Sequence, residues 1–149
     1  MPRIDGGLEL MTSDGALAAR LQRLVREWPV EFLVRIRGEL DEPHQAAILR
    51  GELDDGRALA VESLEGSEEE AEISNRWYRV RITGAGGKDV RQLFERQGAL
   101  VSRVQRTALG PLALTRDLNR GQFRALTSEE AALLRSSKRV ATAPKTPDR

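Results

Sequence analysis

The chain has 149 residues, of which 40% are apolar and 32% charged, with a formal net charge of +1. This composition predicts one soluble domain with a real core, and no apolar run or signal-peptide pattern indicates a membrane span or export, so we expect the cytoplasm. The sequence has no cysteine and one histidine, which excludes disulfides, thiolate chemistry and a zinc site built on histidines.

The first third of the chain is predicted to form two helices around one strand. Leucines recur at helical spacing within residues 15–26, which predicts an amphipathic helix. Apolar and charged residues then alternate over residues 30–36, as in a half-buried strand. Asp41 and Pro43 are typical of a helix start, and Gly51 suits the C-terminal cap of that second, short helix.

The middle of the chain is predicted to hold two strands separated by an acidic loop. Residues 57–64 form the first strand and residues 78–82, which alternate clearly, form the second. Residues 65–75 are rich in Gly, Ser and Glu, and we expect them to form a mobile loop.

The last third begins with a glycine-rich loop, residues 84–87, and a helix that ends at Gly98. A strand over residues 99–106 follows, and a capping box in residues 127–130 predicts a short last helix. Residues 136–149 are rich in Pro, Lys and Thr, and we expect a disordered tail. The elements together indicate an α+β fold, with a largely antiparallel mixed sheet and a few flanking helices.

Charge is distributed unevenly along the chain. Residues 41–75 hold 2 basic and 11 acidic residues, a net charge of −9, whereas residues 76–149 hold 16 basic and 6 acidic residues, a net charge of +10. A basic half on a nearly neutral protein is typical of a protein that binds a phosphate backbone, and the alternative is a mixed solvated surface.

One stretch, residues 87–114, carries the most specific pattern: GKDVRQLFERQGALVSRVQRTALGPLAL. It resembles the C-terminal signature of bacterial RNA pseudouridine synthases, the branch that acts on small- and large-subunit ribosomal RNA. The residues that match this signature in order are Val90, Arg91, Leu93, Phe94, Glu95, Gly98, Val101, Ser102, Arg103, Arg106, Gly110 and Pro111.

The resemblance implies three catalytic residues. Asp5, in Arg3-Ile4-Asp5, matches the family's catalytic aspartate, although its link to the following strand-turn is shorter than in the family. Arg91 matches the basic partner of that aspartate, and Phe32 matches a tyrosine that stacks on the target base. The residues alone leave three alternatives open: a frayed terminal Asp5, an exposed Arg91 and a core Phe32.

The resemblance also implies contacts with RNA, by Lys88, Ser102, Arg103, Arg106 and Arg35. Gly86 and Gly87 stand where the family has Arg-Asn, so part of the phosphate-contacting loop is absent. The Phe at position 32 keeps the aromatic face but lacks the hydroxyl, and with it any proton transfer.

These features predict that residues 1–135 are part of a pseudouridine synthase catalytic domain without its S4-type RNA-binding domain. The implied activity is isomerisation of a uridine in structured RNA by a truncated or shortened enzyme, and ribosomal RNA is the expected partner. No metal or organic cofactor and no membrane is implied, and we expect a monomer. The alternative is a catalytically inactive RNA-binding or interaction module derived from the same fold.

Overall fold

A computed structural model describes residues 6–67, 75–115 and 117–136. Six strands and four helices occur in this part of the chain. In chain order they are β1 Gly6–Gly7, α1 Gly15–Val25, β2 Pro29–Arg37, α2 Glu42–Arg50, β3 Ala60–Ser67, β4 Asn75–Thr83, α3 Gly87–Glu95, β5 Leu100–Leu109, β6 Leu112–Ala113 and α4 Ser128–Ser136.

The strands form a single mixed sheet in the order β1-β5-β2-β4-β3, with β6 also paired to β5. Only the β1–β5 pair is parallel among the described strands, and the other pairs are antiparallel. The predicted α+β class with a largely antiparallel sheet is therefore confirmed.

One side of this sheet, which we call the core face, carries the hydrophobic core. Val30, Phe32, Val34 and Ile36 of β2 are buried on it, because alternate side chains of a strand point to the same side. Buried residues from all four helices belong to the same cluster: Leu21, Ile48, Val90, Leu93, Phe94 and Leu134. Burying a side chain of this size stabilises a fold by roughly 1.5–3 kcal/mol, so this cluster holds the helices to the sheet.

The opposite side of the sheet, which we call the open face, is polar and partly exposed. Glu31, Leu33 and Arg35 of β2 lie on it, and each is only half-buried. In the neighbouring strand β4, Arg79 and Arg81 alternate with the buried residues in the same way. Charged side chains therefore dominate the face that the core leaves uncovered.

The helix boundaries follow the capping signals in the sequence. The Asp14 carboxylate accepts hydrogen bonds from the amides of Ala16 (3.0 Å) and Leu17 (3.2 Å) at the start of α1. Asp41 caps α2 in the same way, and Gly51 ends α2 with a φ of 71°, the left-handed conformation that glycine adopts without strain. The predicted helices around these signals are confirmed.

Several strand boundaries differ from the prediction. The third strand is Ala60–Ser67 and not residues 57–64, because residues 52–58 form a tight turn first. The strand also includes residues 65–67, and β4 begins at Asn75, so the predicted mobile loop over residues 65–75 is wrong at both of its ends. Residues 68–74 of that loop and residues 137–149 of the predicted tail lie outside the described residues, whereas Ser136, the first residue of that tail, ends α4.

Within the described ranges, no helix has the length and apolar character needed to cross a bilayer.

Candidate functional site

Residues 6–8, which we call the amino-terminal segment, are held against β5 by hydrogen bonds to the backbone and to the side chain of Arg106. Gly6 and Gly7 pair in parallel with Gln105 and Arg106. The Leu8 amide donates to the Arg106 carbonyl (2.8 Å), and the Arg106 Nε donates to the Leu8 carbonyl (2.7 Å). A two-residue strand has little stability of its own, so the Arg106 side chain is a principal anchor of this segment.

Glycine is required at position 7 for two separate reasons. Gly7 has a φ of 117°, a conformation that other residues rarely adopt. A Cβ atom at this position would also lie 2.3 Å from the Arg106 carbonyl oxygen, whereas a Cβ at Gly6 would meet nothing within 4 Å. The close approach of the two backbones at Gly7 thus fixes where the chain enters the sheet.

The predicted catalytic Asp5 directly precedes this anchored segment in the sequence and lies outside the described residues. Its assignment as nucleophile therefore stays a prediction. The described structure does show that the residue after Asp5 is tied to β5 by the pairing of Gly6 with Gln105.

Arg91 is directed from α3 onto the same strand. Its Nη1 donates to the Val101 carbonyl (3.0 Å), and the side chain is half-buried. The interpretation of Arg91 as one more exposed arginine is therefore wrong. The α3 helix packs against β5. Arg91 and Gly7 therefore contact the same strand, at Val101 and at Arg106, which are five residues apart.

The start of α3 is fixed by its own Asp89 and by residues of the loop that follows α2. Asp89 accepts from the Gly86 amide (3.2 Å), which caps the helix, and also from Arg57 Nη2 (3.2 Å). Further along α3, Gln92 Oε1 accepts from the Asp54 amide (3.1 Å). These contacts fix the glycine-rich turn before α3. The predicted RNA contact Lys88 lies in the first turn of that helix and is exposed.

Phe32 lies in the hydrophobic core, with 1% of its surface exposed. This confirms the interpretation of Phe32 as a core residue from strand alternation. Its Cα partner on β5 is Arg106, so the two side chains lie on the same face of the sheet. The base-stacking role of Phe32 stays a prediction, and it requires the side chains that cover the ring to move.

The four predicted RNA contacts on β2 and β5 divide between the two faces of the sheet. Arg103 pairs with Arg35 on the open face, where the Arg35 Nε also donates to Ser102 Oγ (2.8 Å). Arg106 pairs with Phe32 on the core face instead. Arg106 and Arg103 therefore cannot bind one phosphate group together.

The environment of Arg106 differs accordingly from that of a surface arginine. Burial lowers the pKa of its guanidinium, and the carboxylate of Glu9 opposes this shift. A guanidinium nevertheless stays protonated at neutral pH, so Arg106 places a fixed, partly desolvated positive charge beside the amino-terminal segment.

The described part of the chain contains no group of three or more histidine, cysteine or carboxylate side chains able to hold a metal ion.

Comparison with known proteins finds relatives that match most of the chain. The chain is 36% identical over 129 residues to the ribosomal large subunit pseudouridine synthase B of Pseudomonas aeruginosa, and 38% identical over 130 residues to that of Salmonella typhi. The matches cover 86% and 87% of this chain. Over this length the chain is homologous to the pseudouridine synthases. No family model matches the chain.

The family members that it matches are much longer proteins. The chain spans 33% of the Pseudomonas protein and 44% of the Salmonella protein, less than half of each. A crystal structure of a pseudouridylate synthase has the same fold: it superposes with a TM-score of 0.65 at 22% sequence identity, over 83% of this chain and 52% of that one.

Two residues at this site and on the open face were not predicted from the sequence. Gly7 gave a weak signal, because a Gly-Gly pair next to a candidate catalytic residue indicates a close backbone approach. Trp77 gave a stronger signal, because a large aromatic side chain on the polar side of an alternating strand is not explained by burial in the core. Its ring lies under the Arg35 guanidinium, 5.6 Å from the ring centroid.

Proposed function

We propose that this chain carries the uridine-isomerising part of an RNA pseudouridine synthase. In this reaction the N1–C1′ glycosidic bond of a uridine breaks and a C5–C1′ bond forms. The uracil C5 loses a proton to solvent and N1 gains one, so atoms and electrons balance without an oxidant or a reductant. The proposal therefore needs acid–base or nucleophilic groups and an anion-binding surface, and no metal or organic cofactor.

The observation that carries the proposal is the anchoring of the segment that follows Asp5. Its pairing with β5 at Gly7 and its double contact with Arg106 attach it to the strand that Arg91 also contacts. A carboxylate that acts on the ribose needs a fixed position, because a displacement of about 1 Å can cost on the order of a hundredfold in rate. Identity of 36–38% to pseudouridine synthases over this region supports the same assignment.

In this mechanism the Asp5 carboxylate attacks C1′ of the ribose or abstracts a ribose proton. Arg91 keeps that carboxylate ionised through opposite charge, which lowers the pKa of an adjacent acid. Gly7 and Arg106 act as positioning residues, which hold the backbone near Asp5 without contacting the base. Lys88 at the start of α3 and Arg103 on the open face bind RNA phosphates.

The proposed partner is structured RNA, and ribosomal RNA is the specific candidate. The target uridine has to leave its stack to bring its glycosidic bond to Asp5. Its base then needs an apolar surface, which Phe32 supplies if its ring becomes accessible. The proposal includes a monomeric protein that acts in the cytoplasm.

The direct test is release of tritium from a ribosomal RNA fragment labelled at C5 of uridine. We expect slow release, because the link after Asp5 is short and Gly86 and Gly87 replace two polar residues of the family. Release that exceeds the RNA-only background supports the proposal. RNA binding with no release at any enzyme concentration would support the alternative, an inactive RNA-binding module.

A further inference from the structure

The open face of the sheet carries an aromatic and arginine-rich surface, of which the proposed mechanism uses only Arg103. We define the arginine face by five of its residues: Arg35, Trp77, Arg79, Arg81 and Arg103. Arg35 is the Cα partner of Trp77 on one side and of Arg103 on the other. The five side chains therefore lie side by side across three adjacent strands.

Two arginines stand directly opposite each other at the centre of this face. Like charges in a directly opposed cross-strand pair are destabilising, so Arg35 and Arg103 repel each other. Within the described residues no carboxylate lies within ion-pair distance of either guanidinium. The neighbouring arginines differ, because Arg79 pairs with Glu31 (3.7 Å) and Arg81 with Glu62 (3.1 Å). The positive charge at the centre of the face is thus left for an anion to neutralise.

Trp77 adds a flat stacking surface beside this charge. It is half-buried and carries the Arg35 guanidinium at 5.6 Å from its ring centroid. Ser102 fixes Arg35 further, since its Oγ accepts from Arg35 Nε (2.8 Å) and donates to the Arg35 carbonyl (3.2 Å). The planar cation is therefore already ordered over the ring before any ligand arrives.

From this arrangement we infer that the arginine face binds a single-stranded segment of RNA. Bases stack on aromatic rings and on guanidinium planes, and the phosphates between them are neutralised by arginines. An open β-sheet face with an ordered aromatic is a surface on which unstacked bases can lie flat. A duplex fits poorly, because its bases are already stacked and offer no free ring faces. The inference rests on the proposed function only for the choice of RNA as the anion.

The test measures binding of a ten-nucleotide oligouridylate to the whole chain by tryptophan fluorescence. The chain has two tryptophans, and Trp28 is fully buried, so quenching on binding reports on Trp77. We expect Trp77→Ala to weaken binding at least about fivefold, because stacking of one base contributes roughly 1–3 kcal/mol. Trp77→Phe keeps a ring and should recover most of the affinity, which separates stacking from a folding defect.

Charge variants test the phosphate contacts. Arg103→Gln should weaken binding and lower the slope of log affinity against log salt by about 0.7, the value for one phosphate contact on a single strand. Arg76→Gln is the matched control, because Arg76 precedes Trp77 on the same strand, faces the other side and pairs with Glu39 (3.3 Å). It should leave the affinity within about twofold.

Three outcomes would overturn the inference. The first is unchanged affinity in both Trp77→Ala and Arg103→Gln. The second is equal affinity for a ten-base-pair RNA duplex, and the third is equal binding of poly-glutamate, which would indicate an acidic protein partner instead. Asp5→Asn should leave oligouridylate binding unchanged, so a failure of the proposed catalysis is measured separately from a failure of this surface.

Discussion

At the scale of single residues, two adjacent glycines have different roles. Gly7 lies against the Arg106 backbone with a positive φ, and Gly6 has free space around its Cα. Gly7→Ala should therefore detach the amino-terminal segment and lower uridine isomerisation by at least about a hundredfold, whereas Gly6→Ala should retain most of the activity. The thermal stability of both variants should remain close to wild type, because β1 has only two residues.

Hydrogen exchange gives a reading of the same change that does not depend on activity. The Leu8 amide is bonded to the Arg106 carbonyl, and it should exchange faster in Gly7→Ala than in wild type. Protection of Leu8 that is unchanged in this variant would show that Gly7 is not what anchors the segment.

A second glycine supports the core. At Gly110 (φ 56°) a Cβ atom would lie 2.6 Å from the buried Trp28 ring, whereas Gly121 (φ 80°) has no neighbour within 4 Å. Gly110→Ala should destabilise the fold by about 2–4 kcal/mol, from overpacking added to backbone strain. Gly121→Ala introduces the backbone strain without a clash and should lower the free energy of unfolding by roughly 1–2 kcal/mol. Equal losses in chemical denaturation would contradict a clash with Trp28.

The division of the arginines between faces could partly be predicted from the sequence. Arg103 and Arg106 are three residues apart, and in a strand an odd separation places side chains on opposite faces. The bulges at Ser102 and Thr107 could not be predicted, because no pattern marks the extra residue. Ser102 consequently shares the open face with Arg103, where a regular strand would separate them. The site residue Asp5 rests on motif resemblance alone.

At the scale of secondary structure elements, α4 depends on one carboxylate. The Glu130 side chain accepts hydrogen bonds from Arg124 (2.8 Å) and from the Thr127 amide (2.9 Å), and its own amide donates to the Thr127 hydroxyl (3.1 Å). First the Arg124 guanidinium and then the Thr127 amide lower the pKa of Glu130 from 4.5 to about 2. The capping box predicted from the sequence is therefore present and strengthened by an arginine.

This shift predicts how the stability conferred by Glu130 depends on pH. A depressed acid pKa stabilises the folded state above the unfolded pKa of 4.5, and the effect disappears as pH falls towards 2. The melting temperature of Glu130→Gln should lie below that of wild type at pH 7, and the gap should close between pH 4.5 and 2. Glu129→Gln changes the charge of the same turn but keeps the capping box, so its melting temperature at pH 7 should differ less from that of wild type. A gap for Glu130→Gln that does not vary with pH would contradict the prediction.

Elements with a strong period were predictable, and short or irregular ones were not. β2 and β4 alternate over most of their length, and both were predicted. β1 and β6 have two residues each, too few to show a period, and they form only because β5 offers an edge. Residues 65–67 have loop composition but pair with β4, where Glu65 lies opposite Arg79. Tertiary pairing overrides local propensity at these places.

At the scale of the whole molecule, charge separates along the chain. The net charge of +10 over residues 76–149 should make RNA binding strongly dependent on salt, because each neutralised phosphate releases counterions. Affinity for a ribosomal RNA fragment should fall at least about tenfold between 50 and 200 mM salt, corresponding to two or more contacts. Affinity that is insensitive to salt, or no binding at 50 mM, would contradict an RNA-binding role.

The central claim, that the segment beside β5 carries the nucleophile, is tested most directly by comparing Asp5→Asn with wild type in one tritium-release assay. Asparagine keeps the shape of the side chain but can act neither as nucleophile nor as base. We expect the variant to lose all release above background while its affinity for the RNA fragment stays within about twofold of wild type. Release by Asp5→Asn at the wild-type rate would contradict the assignment of Asp5 and the mechanism built on it.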